Sequence, residues 1–176
     1  MKKVTCVHKS NVMRITDGLF VKACTEVSKD YPDITFEEMY VDACAMNLIR
    51  QPEQFDVIVT TNLFGDILSD ESSQVVGGLG MAPAANIGDN FALFEPVHGA
   101  AFDIAGKNIA NPSSFLLSIK MMLDWLGTKH NDPKCFEVAA KLESTIFDLV
   151  KSGIKTKDIG GDSTTSEFTK QITDNL

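Results

Sequence analysis

An α/β fold with parallel strand pairing is predicted by three features of this sequence. Apolar runs at 4–7, 34–41 and 56–60 are each followed by apolar residues at helical spacing, the pattern of strands joined by covering helices. A stretch rich in glycine and small residues interrupts this pattern at 77–88. Beyond residue 111 the chain turns to amphipathic helices. The reading divides the chain into residues 1–76 and residues 77–176.

Residues 4–7 form a short buried-strand candidate that ends in His8-Lys9-Ser10-Asn11, after which Leu19, Phe20, Ala23 and Val27 mark a helix. Pro32-Asp33 precedes a second, partly alternating strand at 34–41, and Asp42 opens a helix to about Arg50, closed by Gln51-Pro52. A third strand at 56–60 leads into a helix that carries Asp66 and Asp70, with Leu63, Phe64, Ile67, Leu68 and Val75 assigned to its inner side. The stretch 77–88 reads as a long chain-reversal loop. Gly77-Gly78-Leu79-Gly80 follows a helix and lacks the six-residue G-x-G-x-x-G pattern, so it is no dinucleotide fingerprint.

Residues 91–94 make a short strand, and the segment from Glu95 to Ala110 has the look of a ligand loop. Asn111-Pro112 starts a helix by chemistry, Asn as cap and Pro at the first helical position, with an apolar face from Phe115 to Leu126 and an end at Gly127. Residues 135–150 form another amphipathic helix. Ile159-Gly160-Gly161 is a turn, and Ser163 or Thr164 caps a final helix through Ile172.

The chain has 176 residues, 44% hydrophobic and 23% charged, which is a globular composition able to bury a core. A formal charge of −8, with no stretch concentrating Lys and Arg, argues against nucleic acid or an anionic membrane as partner. No apolar run approaches the ~20 residues of a membrane span. Cys6, Cys24, Cys44 and Cys135 contain no C-x-x-C pair and read as reduced thiols. A cytoplasmic protein is expected.

Asp66 and Asp70 lie four residues apart, about one helical turn, and so share a face just after a strand end. Hard divalent cations such as Mg²⁺ or Mn²⁺ take oxygen ligands of this kind, and α/β proteins place ligands beyond the carboxyl ends of their strands. Taken alone, the spacing is met more often in a solvated acidic face near a helix start. In the same way Asp42 alone is an N-cap candidate, and Lys9 alone is a surface lysine at the end of a strand.

Four motifs alter that balance: Val7-His8-Lys9-Ser10-Asn11, the stretch Asn62-Leu63-Phe64-Gly65-Asp66-Ile67-Leu68-Ser69-Asp70, Glu95-Pro96-Val97-His98-Gly99, and Asp103-Ile104-Ala105-Gly106-Lys107. In this order they resemble the β-decarboxylating dehydrogenases, a family that includes isopropylmalate, isocitrate and homoisocitrate dehydrogenases. The resemblance covers essentially the whole chain and matches the C-terminal half of the family. It implies parts of two α/β domains with mixed sheet pairing: residues 1–76 from the central dimerisation and metal-binding domain, and 77–176 from the cofactor domain. The other half of the family fold carries the substrate-selecting loop, several substrate arginines and the catalytic tyrosine.

The resemblance implies oxidative decarboxylation of a small 2-hydroxy acid bearing a neighbouring carboxylate. 3-Isopropylmalate is favoured, with isocitrate and homoisocitrate as alternatives and an inactive standalone half as a non-enzymatic one. Asp66 and Asp70, with Asp42 of a second subunit, would hold Mg²⁺ or Mn²⁺ at an active site shared across a homodimer. Lys9 would take the hydroxyl proton across the interface, and Asp42 would act beside it. Asn11 would lie near the nicotinamide amide. Glu95, His98, Gly99, Asp103, Ile104 and Asn111 would surround the rest of the cofactor. A carboxylate at Asp103 suits ribose hydroxyls and repels a 2′-phosphate, which points to NAD. Glu95-Pro96 is also explained as a turn, and Asn111 by helix capping. Phe102, with Ala100 and Ala101, departs from the family pattern.

Overall fold

Thr5, Cys6 and Val7 have no exposed surface, because the strand that carries them, β1 (Lys3–His8), lies between two others. The computed structural model describes residues 2–176, in two units that part between Val75 and Val76. In the first, β1 pairs in parallel with β2 (Thr35–Tyr40) on one side and β3 (Val57–Thr60) on the other. Parallel neighbours require crossovers. Helix α1 (Thr16–Ser28) connects β1 to β2, α2 (Val41–Arg50) connects β2 to β3, and α3 (Asn62–Val75) follows β3.

Alternation along the strands gives the sheet two apolar faces. Val7, with Met39 and Ile58, packs against Cys44 and Leu48 of α2 and Leu68 of α3. Val4, Phe36 and Val59 are turned toward α1.

Two expectations for this unit need correction. The second strand stops at Tyr40, which occupies the N-cap position without a side-chain cap, so Asp42 sits inside the first turn of α2 instead of capping it. Val41 starts the helix, and its side chain packs onto the core. On α3, of the residues assigned to the inner side only Leu68 is buried. Leu63, Ile67 and Val75 are 66%, 56% and 47% exposed, because α3 lies along α2 and β3 and buries only a narrow strip.

The second unit begins with a hairpin whose first strand falls in the expected loop and whose second is the expected short strand: β4 (Pro83–Ile87) pairs antiparallel with β5 (Ala92–Pro96). Pro83 is the first strand residue, where its missing N–H costs no ladder bond. Ser114 and Ser118, buried on α4 (Ser113–His130), donate hydroxyl hydrogen bonds to the Ala82 and Glu95 carbonyls and hold the hairpin to the helix. The expected helix end at Gly127 also shifts. Gly127 lies within α4, where a Cβ would come 3.0 Å from the Phe136 ring, and the helix ends at Asn131 in the left-handed region with φ 52°.

Helix α5 (Pro133–Lys151) is capped by Asp132, whose carboxylate accepts from the Lys134 amide. Helix α6 (Thr165–Asn175) starts with a reciprocal box between Thr164 and Glu167. Met81, Leu117, Leu142, Ile146, Leu149, Phe168 and Ile172 make the core of this unit. Pairing of both senses is thus present, parallel in the first unit and antiparallel in the second. Among the described residues no helix is long and apolar enough to cross a membrane.

Candidate active site and nucleotide cleft

The register His8↔Tyr40 brings the residues just beyond the carboxyl ends of β1 and β2 side by side. Lys9 Nζ accordingly donates to Asp42 Oδ1 as a close ion pair, and lies 5.8 Å from the centre of the Tyr40 ring. That hydrogen bond, helped by the backbone amides of Asp42 and Ala43, holds the Asp42 carboxyl below the ordinary aspartate range. Its side chain is 67% exposed, so the pair is a charged, solvent-facing device.

The backbone beneath it is pinned. The Lys9 amide donates to Asp17 Oδ2 at 2.6 Å, and the Lys9 carbonyl accepts from Val12 and Met13. Asp17 is 1% exposed and was not singled out from the sequence. Its place in the first turn of α1 was visible, but its burial depends on how the segment after β1 folds back.

His8 is packed instead of poised. It is 3% exposed, Nδ1 accepts from the Ser10 amide at 3.2 Å, and its ring meets Tyr40 edge-on at 5.3 Å. Asn11 is exposed in the turn that follows.

Because β3 pairs with β1 in parallel, α3 starts from the same carboxyl edge of the sheet. Thr60 Oγ1 donates to the Val7 carbonyl at 2.8 Å there. Asp66 and Asp70 are exposed on α3. Among the described residues of one chain, no three His, Cys, Asp or Glu side chains converge as a metal cage. The sequence reading takes Asp42 from a second subunit, so a single chain offers only the α3 pair to such a site.

In the second unit a cleft of about 930 Å³ brings together His98, Gly99, Ile104 and Asn111. Glu95 and Asp103 do not line it. Glu95 lies on β5, where its carboxylate accepts from Asn86 Nδ2 at 3.3 Å, and Asp103 is exposed in the short 3-10 turn Phe102–Ile104.

Asn111 is fully engaged: Oδ1 accepts from the Ser113 amide at 3.0 Å, and Nδ2 donates to Asp158 Oδ2 at 3.0 Å. Asp158 also accepts from Thr156 Oγ1 at 2.6 Å and lines the cleft. The sequence reading missed it. Its one signal was an acid just before the Ile159-Gly160-Gly161 turn. Gly80 closes that wall, since a Cβ there would come 2.7 Å from Asp158 Oδ2.

The loop on the other wall is tethered. Asn108, at φ 55°, accepts on Oδ1 from the Ser166 amide and hydroxyl, and Thr165 donates to the Asn108 and Ala110 carbonyls. The cleft is therefore preformed, mostly apolar, and furnished with a few fixed polar groups, the usual make-up of a small-molecule site.

The isocitrate/isopropylmalate dehydrogenase family model matches residues 1–174. The 3-isopropylmalate dehydrogenase of Sulfurisphaera tokodaii is 56% identical over 99% of this chain and 52% of its own length. The isocitrate/homoisocitrate dehydrogenase of Thermus thermophilus is 50% identical over 99% of this chain and 50% of its own. The crystal structure of isocitrate dehydrogenase from Methylococcus capsulatus superposes with a TM-score of 0.90 at 45% identity, covering 99% of this chain and 50% of that one. The chain thus spans about half the length of these curated relatives. With its α/β architecture, it belongs to the isocitrate/isopropylmalate dehydrogenase family.

Proposed function

We propose that this chain provides the metal-facing and nucleotide-facing half of a decarboxylating dehydrogenase acting with NAD on a small 2-hydroxy acid, 3-isopropylmalate first among the candidates. The observation that carries this reading is the Lys9–Asp42 pair at the carboxyl edge of a parallel sheet, the edge from which α3 with Asp66 and Asp70 also departs. The donors fit a hard dication: Asp66 and Asp70 offer exposed oxygens one turn apart, and Asp42 stays ionised. Bound there, Mg²⁺ or Mn²⁺ would supply Lewis-acid stabilisation of negative charge developing on substrate oxygen.

The chain's own groups have separate tasks. Lys9 exchanges a proton with the substrate hydroxyl through Nζ, and Asp17 fixes the Lys9 backbone so that Nζ is aimed. The cleft walled by His98, Gly99, Ile104 and Asn111 holds the nucleotide, with Asp158 orienting Asn111. Asp103 stands outside the cleft, exposed and free to accept from ribose hydroxyls, Glu95 is among the groups around the cofactor, and Asn11 serves the nicotinamide amide. Residues 1–76 serve as the dimerisation and metal part and 77–176 as the cofactor part, in a cytoplasmic homodimer. The exposed apolar residues Met46 and Ile49 of α2 and Leu63 and Ile67 of α3 support association through that helix pair.

The test is NADH production with Mn²⁺ and each of the three acids, by the 176-residue chain alone and together with the remaining half of the relatives' length. Little turnover alone and clear turnover when complemented is expected. Silence toward all three acids in the complemented protein would reject the reaction, and a preference for NADP would reject the role given to Asp103. The alternative reading is a half that binds nucleotide or metal or dimerises without turnover. Rate restored on complementation excludes it.

A further inference from the structure

Cys6 and Cys24 are free thiols on neighbouring elements of the first unit, and no step of the proposed reaction uses either. Successive strand residues point to opposite faces, so Cys6 of β1 shares the face of Val4, which is turned toward α1. Its two register partners, Val59 and Glu38, fix what lies above it. Val59 lines, together with Val4 and Cys24, an open groove of about 430 Å³ beside α1. Glu38 accepts at 3.4 Å from the hydroxyl of Thr25, the residue after Cys24. The Cys24 thiol therefore stands over Cys6, and burial and then hydrogen bonding to Cys24 push the Cys6 thiol up to about 12. The two differ in access. Cys6 has no exposed surface, whereas Cys24 is partly exposed and opens onto the groove.

We propose that Cys24 and Cys6 form a peroxide-sensing pair, in which Cys24 is oxidised first and Cys6 resolves it as a reversible disulfide between α1 and β1. Hydrogen peroxide transfers one oxygen atom to Cys24 Sγ, giving a sulfenic acid and one water. Cys6 Sγ then attacks Cys24 Sγ, the S–O bond breaks, and the departing hydroxide takes the Cys6 proton as a second water. Two thiols have thereby given two electrons to one peroxide. An accessible thiol with a resolving cysteine beside it is the usual form of a redox sensor, and transient disulfides of this kind are the ones that reducing compartments tolerate.

The bond reaches the candidate site through the backbone. Cys6 lies three residues before Lys9, and Cys24 lies about two helical turns beyond Asp17, whose carboxylate accepts from the Lys9 amide at 2.6 Å. Tying α1 to β1 holds Asp17 against Lys9.

The test uses the 176-residue chain in a Cys135→Ser background, which removes the other partly exposed thiol. After treatment with hydrogen peroxide, the remaining thiols are alkylated in denaturant and the digested chain is read by mass spectrometry. The Cys6 and Cys24 thiols should disappear together into one linked peptide pair, lighter by two hydrogen atoms and separated by dithiothreitol, while buried Cys44 is recovered alkylated. Cys24→Ser should leave Cys6 unoxidised, and Cys6→Ala should leave Cys24 as a sulfenic acid that dimedone traps. Amide exchange at Lys9 should slow by ~10-fold or more in the oxidised chain. Circular dichroism checks that both variants fold, and the linked peptide is read without either of them. The proposal is overturned if neither thiol reacts, if Cys24 oxidises while Cys6 keeps its thiol, if the link joins two chains, or if Cys6 oxidises as fast in Cys24→Ser. An unchanged Lys9 exchange rate would overturn the reach to the site.

Discussion

The two units solve the problem of holding a polar site in different ways. In the first, Lys9 and Asp42 are placed by strand register, and a small buried cluster of Val7, Cys44, Leu48 and Leu68 stands behind them. In the second, side-chain hydrogen bonds to backbone fasten the hairpin, through Ser114 and Ser118, and the cleft loop, through Thr165, over a seven-residue core drawn from the loop before β4 and helices α4, α5 and α6. Charge presented on strand ends needs little local core but leaves a sheet face and two helices with apolar surface. The loop cleft requires a well-packed helical base, and it has one.

The contrast gives a set of measurements, the largest effect first. Lys9→Met in the complemented enzyme should lower kcat by ~10²- to 10⁴-fold, the usual contribution of a positioned acid–base group. Thermal unfolding should hardly move, because the ion pair is solvent-facing. An unchanged rate would remove Lys9 from the chemistry.

Ile146→Ala, in the centre of the second core, should cost ~2–5 kcal/mol in denaturant unfolding. Leu19→Ala on α1, 69% exposed, should stay within ~0.5 kcal/mol. Equal losses at the two sites would erase the difference drawn between the cores.

Asp17→Ala leaves the partly buried Lys9 amide without its acceptor, and a loss of ~1–3 kcal/mol is expected in the same unfolding assay. No loss would mean that the Lys9 backbone is held by its other contacts alone.

The smallest effect concerns pH. The Thr5 hydroxyl, donating at 2.7 Å, and then Lys3 hold the Glu37 carboxyl below its ordinary 4.5. A depressed folded value contributes stability that is complete above 4.5 and is lost as pH falls through the folded value. Thr5→Val should return the Glu37 titration, followed by NMR, toward 4.5. An unchanged midpoint would contradict the assigned cause.

Much of this organisation was legible beforehand, and the failures have physical reasons. The β1–α1 and β3–α3 units could be read because a dense apolar run before a helical period has few other solutions. Strand β4 could not: Pro83-Ala84-Ala85 has no alternation and poor β propensity, and it is extended because β5 pairs with it and Ser114 holds Ala82. Gly127 imitated a helix end, yet it is there for the approach of Phe136.

On α3 the apolar period marked residues that lie open within this unit, since periodicity shows which residues share a face but not whether anything covers it. His98, Gly99, Ile104 and Asn111, implied by the family resemblance, share one cleft. Asp17 and Asp158 act through partners that folding brings to them, and neither sits in a local pattern that announces it.

The account turns on the two carboxylates of α3. Titrating Mn²⁺ by calorimetry into the chain assembled with its complementary half, and into its Asp66→Asn and Asp70→Asn variants, tests them directly. Each substitution should weaken Mn²⁺ binding by ~10-fold or more. Affinities that match the unsubstituted protein in both variants would leave the proposed metal without its ligands.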